Sequence, residues 1–327
     1  MAARTKGKVG VIGMGVMGGA FARHMAADRW SVKGIDIDPA RNKAMKKAGV
    51  EISDDVKGVV ADAPVVITSL PNPDALHEVV QAIVAAKVPP RIIVEASTFR
   101  LDDKIAAEKA LRKAGHIMLD CPVSGTGAQA QVKDLVIYAS GDEKAIKKVM
   151  PMFASFSRQA HNLGVFGNGS KMKYVANLLV AIHNVAAAEA MVLGMKAGLE
   201  PEQILKFASA GAGNSRMLEV RGPQMVRDDY TEPHMQNYLW QKDMAVIGEY
   251  ASKLGVPTPT FNATVPIYAS TLSVGYANQD TGAVCGVLEK MAGVRRKRKA
   301  AKGGRTAKKA KPAKKAKTAK KAKTRRG

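Results

Sequence analysis

Lys173 and Asn177 stand four residues apart in a long apolar stretch, so on a helix they share one face. A lysine in such a place can exchange a proton with a hydroxyl, and the amide can orient that hydroxyl by donating and accepting. Free lysine is too basic to accept a proton easily near neutral pH. Partial burial, or a nearby cation such as Lys242, brings it towards the working range. Upstream lies Asp120-Cys121-Pro122-Val123-Ser124-Gly125. The Ser124 hydroxyl and the amides of the Gly125 turn suit a carboxylate through charge-assisted hydrogen bonds. Thr126 follows and either narrows the pocket or adds a hydroxyl contact. Downstream, Lys242 is placed to close over a cofactor or substrate, with Asp243 fixing it. Ser215 and Arg216 lie between helical stretches and offer contacts to a polar or anionic substrate end.

The first cluster in the chain, Gly13-Met14-Gly15-Val16-Met17-Gly18, follows a strand-like run and opens a helix-like one. The first glycine allows a tight turn, the second lets a pyrophosphate approach the backbone, and the third lets helix pack on sheet. The helix N-terminus then offers amides and a partial positive charge to the phosphates. Asp36, 18 residues beyond Gly18, ends the second strand-like run. Its carboxylate can accept from a ribose 2′-hydroxyl and repels a 2′-phosphate, so NAD is expected over NADP. Arg41 is close enough in sequence to keep NADP open. Plain structural readings also stay open here: a snorkelling lysine, a core amide, a surface ion pair, a helix cap.

These residues need a scaffold. Short apolar runs at 9–12, 31–35, 65–69, 92–95, 117–120 and 135–140 alternate with helical patterns at 18–28, 39–48, 74–86 and 102–114, which predicts a parallel sheet with helices on both faces. From about 168 the pattern turns helical, with a first helix running to Gly198 and further stretches at 202–210, 239–254 and 257–274. The expected fold is α/β: a Rossmann-type doubly wound sheet domain over 1–164, an all-α substrate and oligomerisation domain over 165–294, and a disordered basic tail over 295–327.

At these residues the chain resembles the β-hydroxyacid dehydrogenases, the group that contains 3-hydroxyisobutyrate dehydrogenase, tartronate semialdehyde reductase and, more distantly, 6-phosphogluconate dehydrogenase. Gly13–Gly18 is similar to the family's dinucleotide signature. Leu70-Pro71-Asn72 and Ser97-Thr98 resemble its cofactor loops, which makes Leu70, Pro71 and Thr98 cofactor residues. Asp120–Gly125 is similar to its substrate loop, Lys173 and Asn177 to its catalytic helix, and Lys242-Asp243 to its second-domain pair. The resemblance implies NAD(P) binding and hydride transfer at a hydroxy acid's alcohol carbon, or reduction of the matching semialdehyde, by a homodimer or homotetramer. Thr126 stands where the family often has a second glycine.

Composition bounds the rest. The 327 residues are 46% hydrophobic and 24% charged, ordinary for a globular chain, but the net charge is +23. Residues 295–327 hold 18 of the Lys and Arg and no acid, which leaves the body near +5. Hexad repeats place Lys308, Lys309, Lys311, Lys314, Lys315, Lys317, Lys320, Lys321 and Lys323 in a polycation without large apolar residues or aromatics. Such a segment binds polyanions, non-specific DNA among them, with steep salt dependence and without base stacking. Its composition resembles the tails of linker histones and nucleoid proteins. The alternative reading is therefore a nucleoid-associated DNA-binding protein that uses the dehydrogenase fold as a scaffold. With two cysteines a disulfide framework is not expected, and no metal-ligand spacing occurs. No signal-like or membrane-spanning run is expected, which favours a cytoplasmic protein, with nucleoid association as the reading the basic tail adds.

Overall fold

The computed structural model describes residues 5–296. Its first half alternates as expected: β1 (Lys8–Ile12), α1 (Val16–Ala27), β2 (Ser31–Ile35), α2 (Pro39–Lys47), β3 (Glu51–Ile52), α3 (Val56–Asp62), β4 (Val65–Thr68), α4 (Pro73–Ala85), β5 (Ile92–Glu95), α5 (Leu101–Lys113) and β6 (Ile117–Asp120). All strand pairs are parallel, in the order β3-β2-β1-β4-β5-β6. That order reverses between β1 and β4, and a dinucleotide fold binds its ligand at the crevice this reversal leaves. Strands β4 and β5 are buried along their whole length, which is why they read as unbroken apolar runs.

One expectation is corrected. The run at 135–140 does not extend this sheet; it forms β8 of a second, three-stranded sheet. That sheet comprises β7 (Val123–Ser124), β8 (Val136–Ala139) and β9 (Gln159–Asn162), interleaved with α6 (Gly127–Gln131) and α7 (Glu143–Phe153). β7 and β8 are antiparallel, so the short excursion after Pro122 turns the chain back. Backbone bonds between Asp120 and Ser140 tie the two sheets together. Phe21 of α1 stacks on Phe156 at 4.5 Å between ring centroids, an aromatic contact that adds about 1 kcal/mol beyond burial.

The second half is helical: α8 (Asn168–Lys196), α9 (Pro201–Ser209), α10 (Arg216–Arg227), α11 (Asn237–Lys253), α12 (Pro259–Ser273), a 3-10 turn (Thr281–Ala283) and α13 (Val284–Ala292). Gly167 (φ +94°) starts α8 and Gly198 (φ +90°) follows its end. By length and apolar composition α8 could cross a bilayer, contrary to the expectation from sequence. Here it is instead the spine of a helical core, with Ala181, Val185, Ala188, Met191 and Val192 packed against α10, α11, α12 and α13. Helix α10 was not anticipated, because Gly222-Pro223 reads as a break. Gly222 lets α10 lie close to α9: a Cβ there would come 2.4 Å from a Leu205 methyl group, which would have to move.

Candidate active site

The glycine turn sits between β1 and α1. Gly13 has φ +85°, and a Cβ on it would lie 2.3 Å from the Ser69 carbonyl oxygen, so only glycine fits. A Cβ on Gly18 would meet the Gly13 oxygen at 2.0 Å. α1 begins at Gly15 without a side-chain cap, unlike α2, α3 and α4 of the same sheet domain, which Asp38, Asp55 and Asn72 cap, though α5 is uncapped too. The amides of Val16 and Met17 are thus left for an anion. Asp36 is buried at the end of β2 and accepts from the Met14 amide at 2.6 Å and the Asp38 amide at 2.9 Å. Arg41 does reach this corner, 3.5 Å from both Asp36 and Asp38. Leu70 and Pro71 follow β4, and Thr98 follows β5, so their loops leave the same end of the sheet. The Leu70 amide donates to Ser97 Oγ at 2.8 Å, which joins the two loops. These residues fit a dinucleotide: tight glycine turn, uncapped helix and buried acid occur together at one strand edge.

The proton-handling residues converge from three segments. Lys173 (8% exposed) and Asn177 lie on the first turns of α8. Asn177 Nδ2 donates to Asp243 Oδ2 at 3.0 Å, and Asp243 Oδ1 pairs with Lys242 Nζ at 2.8 Å. Lys242 Nζ also donates to the Thr98 carbonyl, which brings α11 onto the cofactor loop. Burial pushes the Lys173 ammonium down from 10.5 to about 8; Asp243 opposes this and Lys242 reinforces it. The expected effect of a neighbouring cation is thus present, but desolvation is the larger cause.

Ser124 ends β7 and Gly125 (φ +138°) turns the chain into α6. Thr126 is the N-cap of α6, in a reciprocal box with Gln129: its Oγ1 accepts from the Gln129 amide, which fixes the side chain at the helix start. Two further candidates make local contacts. Ser215 caps α10, its Oγ accepting from the Leu218 amide at 3.1 Å. Arg216 is 63% exposed and paired with Glu219 and Asp134, so it braces α10 against the segment after α6. Asn184, on the same sequence face as Lys173, bonds Tyr268 and the Thr281 carbonyl inside the helical core. Cys121 is buried, and burial together with the Asp120 charge raises its thiol well above the ordinary value, which suits a packed residue rather than a nucleophile. An open cleft is lined by Val16, Gly127, Ala128, Gln131, Glu232, Pro233 and His234, and therefore runs from the glycine turn past α6 to the loop before α11. The tail lysines from Lys308 to Lys323 lie outside the described residues. Among the described residues no cluster of three His, Cys, Asp or Glu side chains gathers.

Sequence reasoning missed one group entirely. Glu95 ends β5 and Asp120 ends β6, directly opposite each other in the sheet register. Lys104 of α5 lies between them, 2.6 Å from Glu95 and 2.8 Å from Asp120, and all three side chains are fully buried. An acid closing each of two otherwise apolar runs was the available signal; their pairing was not visible in sequence.

Fold and site together define a nicotinamide-nucleotide-dependent oxidoreductase. The family described as the NAD binding domain of 6-phosphogluconate dehydrogenase matches residues 8–167, and that described as NAD-binding of NADP-dependent 3-hydroxyisobutyrate dehydrogenase matches 167–288. The chain is 29% identical over 280 residues to L-threonate dehydrogenase of Cupriavidus necator, covering 84% of this chain and 94% of that one. It is 27% identical over 290 residues to 2-(hydroxymethyl)glutarate dehydrogenase of Eubacterium barkeri, covering 88% and 96%. The solved 3-hydroxyisobutyrate dehydrogenase of Salmonella typhimurium superimposes with TM-score 0.78 at 26% identity, over 86% of this chain and 99% of that one. The chain belongs to the β-hydroxyacid dehydrogenase family, and it is an NAD(P)-dependent oxidoreductase acting on CH–OH groups.

Proposed function

We propose that Lys173 is the general acid/base of this enzyme and that Asn177 orients the substrate hydroxyl. The single observation that carries this is a buried lysine held near pKa 8 beside a hydrogen-bonded Asn177–Asp243–Lys242 chain. In the oxidative direction neutral Lys173 takes the hydroxyl proton as the alcohol becomes a carbonyl; in reduction the ammonium returns it. The nicotinamide supplies or accepts the hydride. Gly13, Met14, Gly15, Val16, Met17 and Gly18 hold the dinucleotide, with Leu70, Pro71, Thr98 and Lys242 along its nicotinamide side. Ser124 and the Gly125 amide bind the substrate carboxylate. Thr126 keeps that loop in place through its cap.

NAD is the preferred cofactor in this reading. Asp36 faces the ribose, and Arg41, paired with both Asp36 and Asp38, is a neutralised cation rather than a 2′-phosphate site. The substrate is a short hydroxy acid or its semialdehyde, with L-threonate and 2-(hydroxymethyl)glutarate as first candidates from the relatives. We further assign dimerisation or tetramerisation to the helical half, where Met172, Val175 and Leu179 form an exposed apolar stripe on α8. The basic segment 295–327 acts beside the enzyme as a polyanion tether, with DNA as the natural probe.

The test is nicotinamide absorbance with NAD and NADP over a panel of small hydroxy acids and semialdehydes, with Lys173→Ala beside the wild type. NAD-linked turnover lost in the variant is the expected result. Full turnover in Lys173→Ala removes the assignment. DNA binding by the full chain but not by a chain ending at Val294 is expected for the tether.

A further inference from the structure

Helix α8 starts without a cap of its own. Gly167 is its N-cap residue and offers no side chain, yet the first-turn amides are not left to water. The Gly169 amide donates to Ser140 Oγ at 2.9 Å, and the Ser170 amide donates to Asp120 Oδ2 at 2.7 Å. Ser170 Oγ adds a bond to Asp120 Oδ1 at 2.8 Å. The cap is thus supplied by the end of a strand 50 residues away in sequence. Contact is close: a Cβ on Gly169 would lie 2.3 Å from the Tyr138 carbonyl oxygen and 2.6 Å from that of Asp120. Lys173 stands one turn further along the same helix.

Asp120 has a second allegiance. Its Oδ1 accepts from Lys104 Nζ at 2.8 Å, and Lys104 Nζ lies 2.6 Å from Glu95 Oε2. The other Glu95 oxygen accepts from the Ser97 amide at 2.9 Å, and Ser97 Oγ accepts from the Leu70 amide. The path therefore runs from both cofactor loops, through three buried charges, to the first turn of the helix that carries Lys173. A second tie runs parallel to it, since Tyr174 donates to the Phe99 carbonyl. Burial alone would drive the Lys104 ammonium down, but Asp120 and Glu95 together hold it above the ordinary lysine value, so Lys104 stays charged.

We propose that Lys104 is a positioning residue for hydride and proton transfer: through Glu95 and Asp120 it sets the register of the catalytic helix against the cofactor loops. This rests on the acid/base assignment of Lys173. Lys104 touches no reacting group. Its effect is to keep the first turn of α8 and the Ser97–Thr98 loop at one fixed separation. Placement errors of about 1 Å at reacting groups cost on the order of a hundredfold in rate.

The experiment compares wild type, Lys104→Met and Lys173→Met as full-length proteins. It measures NADH binding by fluorescence, kcat and KM, the pH profile, and the primary deuterium isotope effect with carbon-deuterated hydroxy acid. For Lys104→Met the expected result is a kcat at least about tenfold lower with NADH affinity within about threefold, because the glycine turn is untouched. The isotope effect on kcat rises and the ascending limb of the pH profile moves, since Lys173 shifts relative to Lys242 and Asp243. A purely structural role would lower stability and leave the isotope effect and pH limb where they were; that result overturns the proposal. Should Lys104→Met not fold, Ser170→Ala, which removes one bond to Asp120, is expected to change the same readouts in the same direction, and unchanged values overturn the proposal. If Lys173→Met turns over normally, the acid/base assignment fails first. If Lys173→Met is inactive while Lys104→Met has normal kcat, isotope effect and pH limb, the positioning role alone fails.

Discussion

Replacing Lys173, the acid/base proposed above, should make this protein more stable. Lys173 titrates at 10.5 as an ordinary lysine and at about 8 in its buried site. At about 1.4 kcal/mol for each tenfold change in the proton equilibrium, keeping it charged inside the fold costs about 3 kcal/mol. The folded protein loses this proton at lower pH than the unfolded chain. Between about 8 and 10.5 the unfolded state therefore binds more protons, and stability rises with pH. Below about 8 the whole cost is present; above 10.5 it is gone. Lys173→Met keeps the length of the side chain and removes the charge, so at about pH 7 the variant should exceed the wild type by as much as about 3 kcal/mol. Urea unfolding of both proteins at about pH 7, 8, 9 and 10 measures the difference directly, with dehydrogenase activity recorded on the same samples. The expected pattern is an inactive, more stable variant whose advantage shrinks as pH rises. A variant less stable at neutral pH, or an advantage that ignores pH, would refute the claim that desolvation of Lys173 sets its titration.

Further predictions follow from the same geometry. Lys242→Met removes the cation that helps depress Lys173, so the ascending limb of kcat/KM against pH should move to higher pH; Asp243→Asn should move it lower. Shifts of the same sign in both variants would contradict the electrostatic assignment. Asp36→Ala should lower kcat/KM with NAD by about tenfold or more and narrow the preference against NADP, as measured with both cofactors at fixed substrate. Arg221→Leu removes the 3.0 Å ion partner of the fully buried Asp280, which keeps the His234, Met235 and Gly282 amides, and should lower stability in urea unfolding by up to about 3 kcal/mol.

The sheet half was largely legible because burial on both faces writes strands as continuous apolar runs, and β2, β5 and β6 begin and end where those runs do. Gly13, Gly18 and Asp36 were legible because each answers a local demand for space or charge at one turn. What was hidden depends on the third dimension. β9 reads Gln-Ala-His-Asn, is mostly exposed, and gains its strand character only by pairing with β8. α7, packed on β9 and β6, and α10, packed on α8 and α9, each contain a proline, a residue that reads as a helix break in sequence. At the site, Lys173 and Asn177 share a face by simple spacing, but their link to Asp243 spans 66 residues and the cap from Asp120 to Ser170 spans 50. The pairing of Arg216 with Glu219 follows from i,i+3 spacing, whereas its pairing with Asp134, 82 residues away, was not visible in sequence.

Helix α8 also settles what a broken or half-folded copy of this enzyme can do. Its first turns carry Ser170 against the end of β6 and Asn177 against Asp243 of α11, with Lys173 between them, while Val185, Ala188, Met191 and Val192 belong to the helical core. One rod belongs to both halves. A chain cut just before Asn168 would yield one fragment with the glycine turn and Asp36 but without Lys173, the proposed base, and another with Lys173 but without the glycine turn. Turnover is therefore an all-or-none tally of molecules in which both halves have closed on the same helix. In a refolding experiment, the return of NADH production should lag or match the slower half and never precede it.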